Sequence, residues 1–208
     1  MNIGIVGTGR VASSLGKAWA AAGHHVMFGS RSPDKAAAAA RAAGGGESGN
    51  AEGGTYAQAF GFGDVILLAV PYASVGEILD SQKDLSGKVL VDPTNPMGPE
   101  GLTLGHTTSA AEQIAARAPQ ARVVKALNTI GADSMAGLHG TKDTAFIAGD
   151  DEEALEMVAR LVSDLGFSAI VAGPLRIARY LEPLGALWVQ LAYRQGLGPA
   201  IGFRLERY

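Results

Sequence analysis

A glycine motif near the N-terminus has the composition of a phosphate-binding loop. It reads Gly7-Thr8-Gly9-Arg10-Val11-Ala12 and directly follows the apolar run Ile3 to Val6. In such a loop the first glycine permits a tight turn, and the second lets the backbone approach a pyrophosphate. The predicted helix that follows would point its unpaired N–H groups at the anion. The motif therefore predicts a dinucleotide site, with a plain turn as the alternative. The expected contacts are Gly7, Thr8, Gly9, Arg10 and Val11.

The end of the second predicted strand indicates which nicotinamide cofactor binds. Sites for NAD usually carry Asp or Glu about 20 residues beyond the glycine loop, where the carboxylate accepts from the ribose 2′-hydroxyl. This chain has Ser30 and Arg31 there. An acid would repel a 2′-phosphate, whereas a guanidinium and a hydroxyl can donate to it. The pair predicts NADP(H), and a solvated arginine is the alternative. Lys35 either adds charge at the phosphate or faces water.

Three further predicted strands end in segments that belong at the same edge of the sheet. The first of these segments is Ala69-Val70-Pro71-Tyr72, and the second is Asp92-Pro93-Thr94-Asn95-Pro96. The third segment, Lys125 to Gly131, begins inside its strand and continues past the strand's end. We expect cofactor contacts from Ala69, Val70, Pro71 and Asn95, and substrate contacts from Asn128, Thr129, Ile130 and Leu197. Tyr72 either flanks the ligand or packs. Lys125 is a catalytic amine, a solvated edge residue or an ion-paired one.

Several other classes of function lack their residues. The 208-residue chain has no cysteine, a net charge of −3 and scattered basic residues, so we expect no nucleic-acid partner. No apolar run approaches the roughly 20 residues of a membrane span, and no secretory signal begins the chain, so we expect no membrane partner and assign the cytoplasm. The four histidines do not have the spacing of metal ligands. The acidic run Gly149 to Glu153 is explained by the start of a helix, where the helix dipole favours acids. We therefore expect no metal.

The spacing of apolar residues predicts alternating strands and helices. We therefore expect an α/β fold with a doubly wound, Rossmann-type, mostly parallel sheet and a short C-terminal helical extension. Residues 1–172 would form the NADP-binding domain, and residues 173–208 would close the cleft or form a dimer contact. A third strand within Gly44 to Gly54 is not placed. The predicted strands are Asn2–Val6, His24–Gly29, Asp64–Val70, Lys88–Asp92, Arg122–Ala126, Thr144–Ala148 and Ser168–Val171. The predicted helices are Arg10–Ala22, Pro33–Ala43, Ser109–Arg117, Asp151–Leu165 and Leu175 to about Gln195.

Taken in order, these motifs resemble the NADPH-dependent coenzyme F420 reductases. The resemblance rests on the glycine loop, Gly29-Ser30-Arg31, Val70-Pro71, Val124 to Ile130, Gly149-Asp150-Asp151 and the tail that starts at Ala172. It implies hydride transfer between NADPH and the deazaflavin ring of coenzyme F420. It places Ser30 and Arg31 on the 2′-phosphate, and Asn128, Thr129 and Ile130 beside the deazaflavin. Such a reaction depends on positioning two flat rings, so no catalytic acid or base is expected.

The chain departs from this family at points that concern the second substrate. Some members have histidine at the position of Asn128, and the segment Arg204 to Tyr208 makes a longer, more basic end. An NADPH-dependent reductase of another small acceptor, such as a ferric chelate, a quinone or an imine, is therefore a second hypothesis. A non-catalytic protein that senses NADP(H) is the third. A homodimer is expected in each case.

Overall fold

The computed structural model describes residues 1–46, 49–136 and 143–208. Strands and helices alternate along most of the chain. The strands are β1 (Asn2–Val6), β2 (His25–Gly29), β3 (Ala51–Gly54), β4 (Val65–Leu68), β5 (Val89–Asp92), β6 (Met97–Gly98), β7 (Gly101–Leu102), β8 (Arg122–Lys125), β9 (Thr144–Gly149) and β10 (Ser168–Gly173). The helices are α1 (Arg10–Ala21), α2 (Pro33–Ala42), α3 (Tyr56–Phe62), α4 (Tyr72–Asp80), α5 (Ala110–Arg117), α6 (Glu152–Asp164) and α7 (Ala178–Val189).

Eight of these strands form one sheet in the order β10-β9-β8-β5-β4-β1-β2-β3. All neighbours from β3 to β8 are parallel, β9 is antiparallel to β8, and β10 is parallel to β9. The chain moves outward from β1 to β3 and then crosses back, so that β4 lies on the other side of β1. A crevice opens at the carboxyl ends of the strands where the order reverses in this way. The predicted doubly wound, mostly parallel fold is confirmed.

Apolar side chains cover both faces of the sheet. All four residues of β4 are buried, which explains why this strand is continuously apolar instead of alternating. On one face α1 and α6 lie side by side, and the Trp19 indole N–H donates to the Leu161 carbonyl at 3.0 Å. The opposite face packs against α4 and α5, with Val75 and Ile114 among its buried residues.

The sequence prediction placed neither the strands β3, β6 and β7 nor the helices α3 and α4. Helix α3 begins with a capping box: the Thr55 hydroxyl accepts from the Gln58 N–H at 3.2 Å, and the Gln58 side chain accepts from the Thr55 N–H at 2.8 Å. This Thr-x-x-Gln pattern was the available sequence signal for that helix. Helix α4 starts directly after Pro71 without a side-chain cap, and β3 is only four residues long, so neither had a comparable signal.

The C-terminal segment is divided into several pieces where one helix was predicted. A 3-10 turn at Leu175–Ile177 precedes α7, and a π-helical turn at Gln190–Arg194 follows it. The last residues then return to the sheet, where the Thr144 N–H donates to the Phe203 carbonyl at 2.8 Å. Within the described ranges, no helix has both the length and the apolarity that crossing a membrane requires.

The acidic run at the start of α6 supplies its helix cap. Asp151 is the N-cap residue, and its carboxylate accepts from the Ala154 N–H at 2.8 Å. We expect Asp151→Ala to lower the free energy of unfolding by about 1 kcal/mol, whereas Asp151→Asn, which can still cap, should change it little. Urea unfolding followed by circular dichroism measures both. Equal losses in the two variants would show that the charge beside Arg122, and not the cap, stabilises this end.

Candidate functional site

The loop between β1 and α1 contains two glycines, and a different feature of the structure explains each of them. Gly7 has φ +121°, and a Cβ built there would lie 2.3 Å from the Ala69 carbonyl oxygen, so the fold itself requires glycine. Gly9 is the N-cap of α1 with φ −78°, and no protein atom lies within 4 Å of a Cβ built there. Nothing in the described chain demands glycine at this position. The open space beside an uncapped helix start fits a pyrophosphate.

A cavity of about 410 Å³ continues from this loop to the ends of β2 and β4. Ser30 is buried, and its hydroxyl oxygen accepts from the Ser32 N–H at 3.1 Å, which leaves the hydroxyl hydrogen able to donate. Arg31 and Lys35 are exposed, and among the described residues that line the cavity there is no carboxylate. The lining consists of Gly7, Thr8, Gly9, Ser30, Arg31, Ser32, Lys35, Tyr56, Ala69, Val70 and Pro71. The structure thus brings together most of the predicted cofactor contacts, and the fit to an anion is good.

A second cavity of about 270 Å³ adjoins the first and shares Arg31, Tyr56, Val70 and Pro71 with it. Ile78 contributes an apolar surface from α4. Ser74, Glu77 and Ser81 add polar groups to this lining, and an aromatic and apolar surface with a few polar groups suits a flat ring. Sequence reasoning missed Tyr56 because it missed α3, whose first residue this tyrosine is.

Arg10 lies at the start of α1 but its side chain turns to another loop. Its guanidinium Nη2 is 2.5 Å from the Asp133 carboxylate, which follows β8. The hydrogen bond to Asp133, and then its charge, raise the pKa of Arg10 above the ordinary value for an arginine. Strands β4 and β5 separate β1 from β8, so this pair joins loops from opposite sides of the crevice.

The predicted substrate residues Asn128, Thr129 and Ile130 follow β8, and Asn95, a predicted cofactor contact, follows β5. The Asn128 side-chain amide donates to the Asn95 side-chain oxygen at 2.9 Å and to the Leu181 carbonyl of α7 at 2.7 Å. In return, the Asn95 amide donates to the Asn128 carbonyl at 2.8 Å. Leu127 just before has φ +64°, a strained conformation for a residue with a branched side chain. These loops and α7 therefore form one wall, which we name the acceptor wall: Thr94, Asn95, residues 127–131 and α7.

Little side-chain surface on this wall is open to solvent. Asn128 is 5% exposed, Thr129 2% and Ile130 9%, and the Asn128 side-chain oxygen has no hydrogen-bond partner among the described residues. Such an unpaired buried acceptor is uncommon and fits a ligand that donates a hydrogen bond. Leu197 is 60% exposed and lies outside the linings of both cavities.

Lys125 is neither solvated nor accessible to a substrate. Its side chain is completely buried, and the ammonium lies 2.9 Å from both the Asp92 and the Glu182 carboxylates and also donates to the Thr94 carbonyl. The prediction of an ion-paired lysine is correct, and the predictions of a solvated edge residue and of a catalytic amine are wrong. Sequence reasoning did not identify Glu182, because this residue is distant in the chain and approaches Lys125 only through the docking of α7.

Tyr72 also lies away from the two cavities. Its hydroxyl donates to the Gln113 side chain at 2.5 Å, which joins α4 to α5. Burial raises the pKa of this phenol, and the carboxylates of Glu182 and Asp92 raise it further. Among the described residues, no group of three or more metal-ligating side chains is found. His139 lies outside the described residues.

Known proteins resemble the chain over most of its length. The family model described as NADP oxidoreductase, coenzyme F420-dependent, matches residues 2–96. An F420-dependent NADP reductase from Methanothermobacter thermautotrophicus is 32% identical over 93% of this chain and 90% of its own. The metalloreductase STEAP3 from Rattus norvegicus is 32% identical over 88% of this chain, which spans only 36% of that protein.

Solved structures give the same result. A protein from Arthrobacter sp. FB24 that carries the provisional name F420-dependent NADP-reductase is 30% identical, with a TM-score of 0.84 over the full length of both chains. The similarity to the Methanothermobacter reductase continues beyond residue 96 to the segments that form the acceptor wall. The chain therefore belongs to the family of coenzyme F420-dependent NADP oxidoreductases.

Proposed function

We propose that this chain transfers a hydride between NADP(H) and coenzyme F420. The observation that carries this proposal is the cavity of about 410 Å³, which combines an open phosphate loop with two cations and a free hydroxyl at the end of β2. A dinucleotide without a 2′-phosphate would have no group to pair with these two cations.

Each part of the cavity suits one part of NADP(H). The N-terminus of α1 and the space beside Gly9 receive the pyrophosphate, because helix dipole and free N–H groups both favour an anion there. Ser30, Arg31 and Lys35 donate to the 2′-phosphate. The neighbouring cavity beside Tyr56 and Ile78 takes the adenine ring.

The acceptor wall follows β5 and β8 at the same edge of the sheet, and its residues lie outside the linings of the two cavities. NADPH, when bound, supplies the hydride, and the chain's own residues have to orient two rings and exclude water between them. Asn95, Asn128, Thr129 and Ile130 are the residues we assign to this task. Asn128 is buried and Asn95 is partly buried, and their mutual hydrogen bonds hold this geometry without a ligand, which favours positioning over acid–base chemistry.

Reduction of another acceptor is the second candidate. The metalloreductase STEAP3 is 32% identical to this chain over 88% of its length, so a relative named for a different activity shares most of the elements described here. In this second candidate function NADPH is still the hydride donor, and only the second substrate differs.

Anaerobic mixing of the protein with NADPH and oxidised coenzyme F420 distinguishes the two candidates. We expect the deazaflavin absorbance to be lost with NADPH and to persist with NADH. Saturable NADPH binding without bleaching would overturn the coenzyme F420 assignment and leave the second candidate. A ferric chelate is then the next acceptor to assay.

Arg31 should account for the preference between the two cofactors. We expect Arg31→Ala to weaken NADPH binding about 10- to 100-fold, since charge-assisted hydrogen bonds contribute about 1.5–3 kcal/mol. NADH binding should change little. Isothermal titration calorimetry with both cofactors measures the two affinities. Arg41→Ala is the matched control, because Arg41 is an exposed arginine of α2 that lies outside the cavity. Equal losses of affinity for NADPH and NADH would show that Arg31 does not bind the 2′-phosphate.

Gly9 and Gly7 should respond differently to an added side chain. Gly9→Val should fold with only a small loss of melting temperature, because the space beside it is open and valine is merely a poorer N-cap than glycine, yet it should lose NADPH binding as the side chain fills the pyrophosphate path. Gly7→Ala should instead lower the melting temperature, because its Cβ meets the Ala69 carbonyl. Differential scanning fluorimetry and cofactor titration separate the two. A folded Gly9→Val variant with normal affinity would show that this loop holds no phosphate.

A further inference from the structure

A buried cluster of three charges lies behind the acceptor wall. Lys125 at the end of β8, Asp92 at the end of β5 and Glu182 on α7 have side chains that are 0%, 0% and 1% exposed. One cation between two carboxylates leaves the cluster with a net negative charge in the protein interior. The proposed reaction uses none of these three groups directly.

The cluster joins four elements through hydrogen bonds. Asp92 accepts from the Thr94 N–H at 2.8 Å, and Lys125 donates to the Thr94 carbonyl, so the backbone of this residue is held on both sides. Glu182 accepts from the N–H groups of Ala110 and Ala111 at 3.0 and 3.3 Å, at the start of α5. The first turn of α5 thus stabilises the excess negative charge. Strands β5 and β8 and helices α5 and α7 are all tied to one ammonium group.

Such a cluster is an inefficient source of stability. Taking charges out of water costs several kcal/mol for each ion, and well-packed apolar residues often stabilise equally well or better. What the charges supply is a defined geometry, because Lys125 must satisfy three acceptors at fixed distances. A role in positioning accounts for the cluster better than a role in stability alone.

The geometry that the cluster defines is that of the acceptor wall. Asn95 follows Thr94, Asn128 lies three residues after Lys125, and the Leu181 carbonyl that binds Asn128 precedes Glu182. Among the described residues, the hydrogen bonds of the three charged side chains all go to one another or to Thr94, Ala110 and Ala111. None reaches the phosphate loop or the end of β2. The cluster therefore supports only the acceptor end, and the Arg10–Asp133 pair, which lies outside the cluster, joins the two ends of the crevice.

We propose that Lys125 is a positioning residue for the acceptor: through Asp92 and Glu182 it aligns the acceptor wall, and it makes no contribution to NADPH binding. The identity of the acceptor in this proposal rests on the proposed function, whereas the effect on the acceptor wall does not depend on it. Loss of the lysine should free the loops after β5 and β8 and the start of α7 while the phosphate loop stays in place.

The test uses the double variant Lys125→Met, Asp92→Asn. It keeps the same net charge in the cluster, keeps an acceptor for the Thr94 N–H and leaves Glu182 bound to α5, so it avoids the unpaired carboxylates that Lys125→Met alone would bury. Arg122→Met is the matched control, because Arg122 lies on the same strand and pairs with exposed Glu153 at its other end. If the double variant does not fold, Glu182→Gln cuts the same link with one change.

We expect three results from the double variant. The dissociation constant of NADPH should stay within about threefold of the unmodified protein, whereas kcat/KM for coenzyme F420 should fall about tenfold or more, since small misplacements of reacting groups are costly. Amide hydrogen exchange should accelerate in residues 94–98, 127–131 and α7, and should stay unchanged in residues 7–12 and 30–35. The control should alter none of these.

Two outcomes would overturn the proposal. Unchanged exchange in the acceptor wall would show that the cluster does not position it, and a parallel loss of NADPH affinity with faster exchange throughout would show a general role in stability. If the unmodified protein fails to bleach coenzyme F420, the proposed function is wrong, and the exchange measurement still decides whether Lys125 positions the wall.

Discussion

The parallel pairing of β1 between β2 and β4 is the constraint on which the remaining structure depends. The register joins Val6 to Gly29 on one side and to Leu68 on the other, so three loops leave the sheet at the same edge. Because the strand order reverses at this point, the helices that follow diverge and cannot cover the edge. The glycine loop, Ser30-Arg31 and Val70-Pro71 meet there, although they are far apart in the chain.

The electrostatics of the crevice follow from what this edge contains. The start of α1 carries no acid in its first turn, and the end of β2 carries Arg31 where NAD sites have a carboxylate. Both features favour anions, which supports the proposed positions of the pyrophosphate and the 2′-phosphate of NADP(H). Asp133 is a nearby carboxylate, but Arg10 neutralises it through a direct ion pair. The phosphate end of the crevice is thus kept positive.

The opposite end is organised by the C-terminal segment. Helix α7 lies against the loops after β5 and β8, and the hydrogen bond from Asn128 to the Leu181 carbonyl and the pairing of Lys125 with Glu182 make that contact polar and directional. Apolar contacts alone would tolerate small shifts of α7, whereas these hydrogen bonds define one arrangement. We propose on this basis that residues 173–208 serve as a wall of the site. The similarity to the Methanothermobacter reductase covers 93% of this chain, which is enough to include α7.

Local sequence patterns were sufficient for much of the fold. Continuous apolar runs identified the buried strands, as in β4, and the Ser32-Pro33 signal located the start of α2, whose cap the structure shows at 3.4 Å. The loop Gly7 to Val11 and the pair Ser30-Arg31 could also be proposed as phosphate contacts from the sequence, because a site of this kind is built from residues close together in the chain. The structure places Gly7, Thr8, Gly9, Ser30 and Arg31 around one cavity. Short elements without periodicity, such as β3 and α4, offered no such signal.

By itself, the sequence determined the strand–helix alternation, the parallel sheet and the residues at the phosphate end, since each depends on local spacing. Only the tertiary structure decided which distant residues meet. Tyr56 entered the cavity through a helix that periodicity did not reveal, and Asp133 reached Arg10 across two strands. Lys125 shows the reason most clearly: a lysine in a strand has the same local sequence whether it is solvated, catalytic or buried. Its role depends on Asp92 and Glu182, which come from other elements and approach it only when the sheet and α7 have assembled.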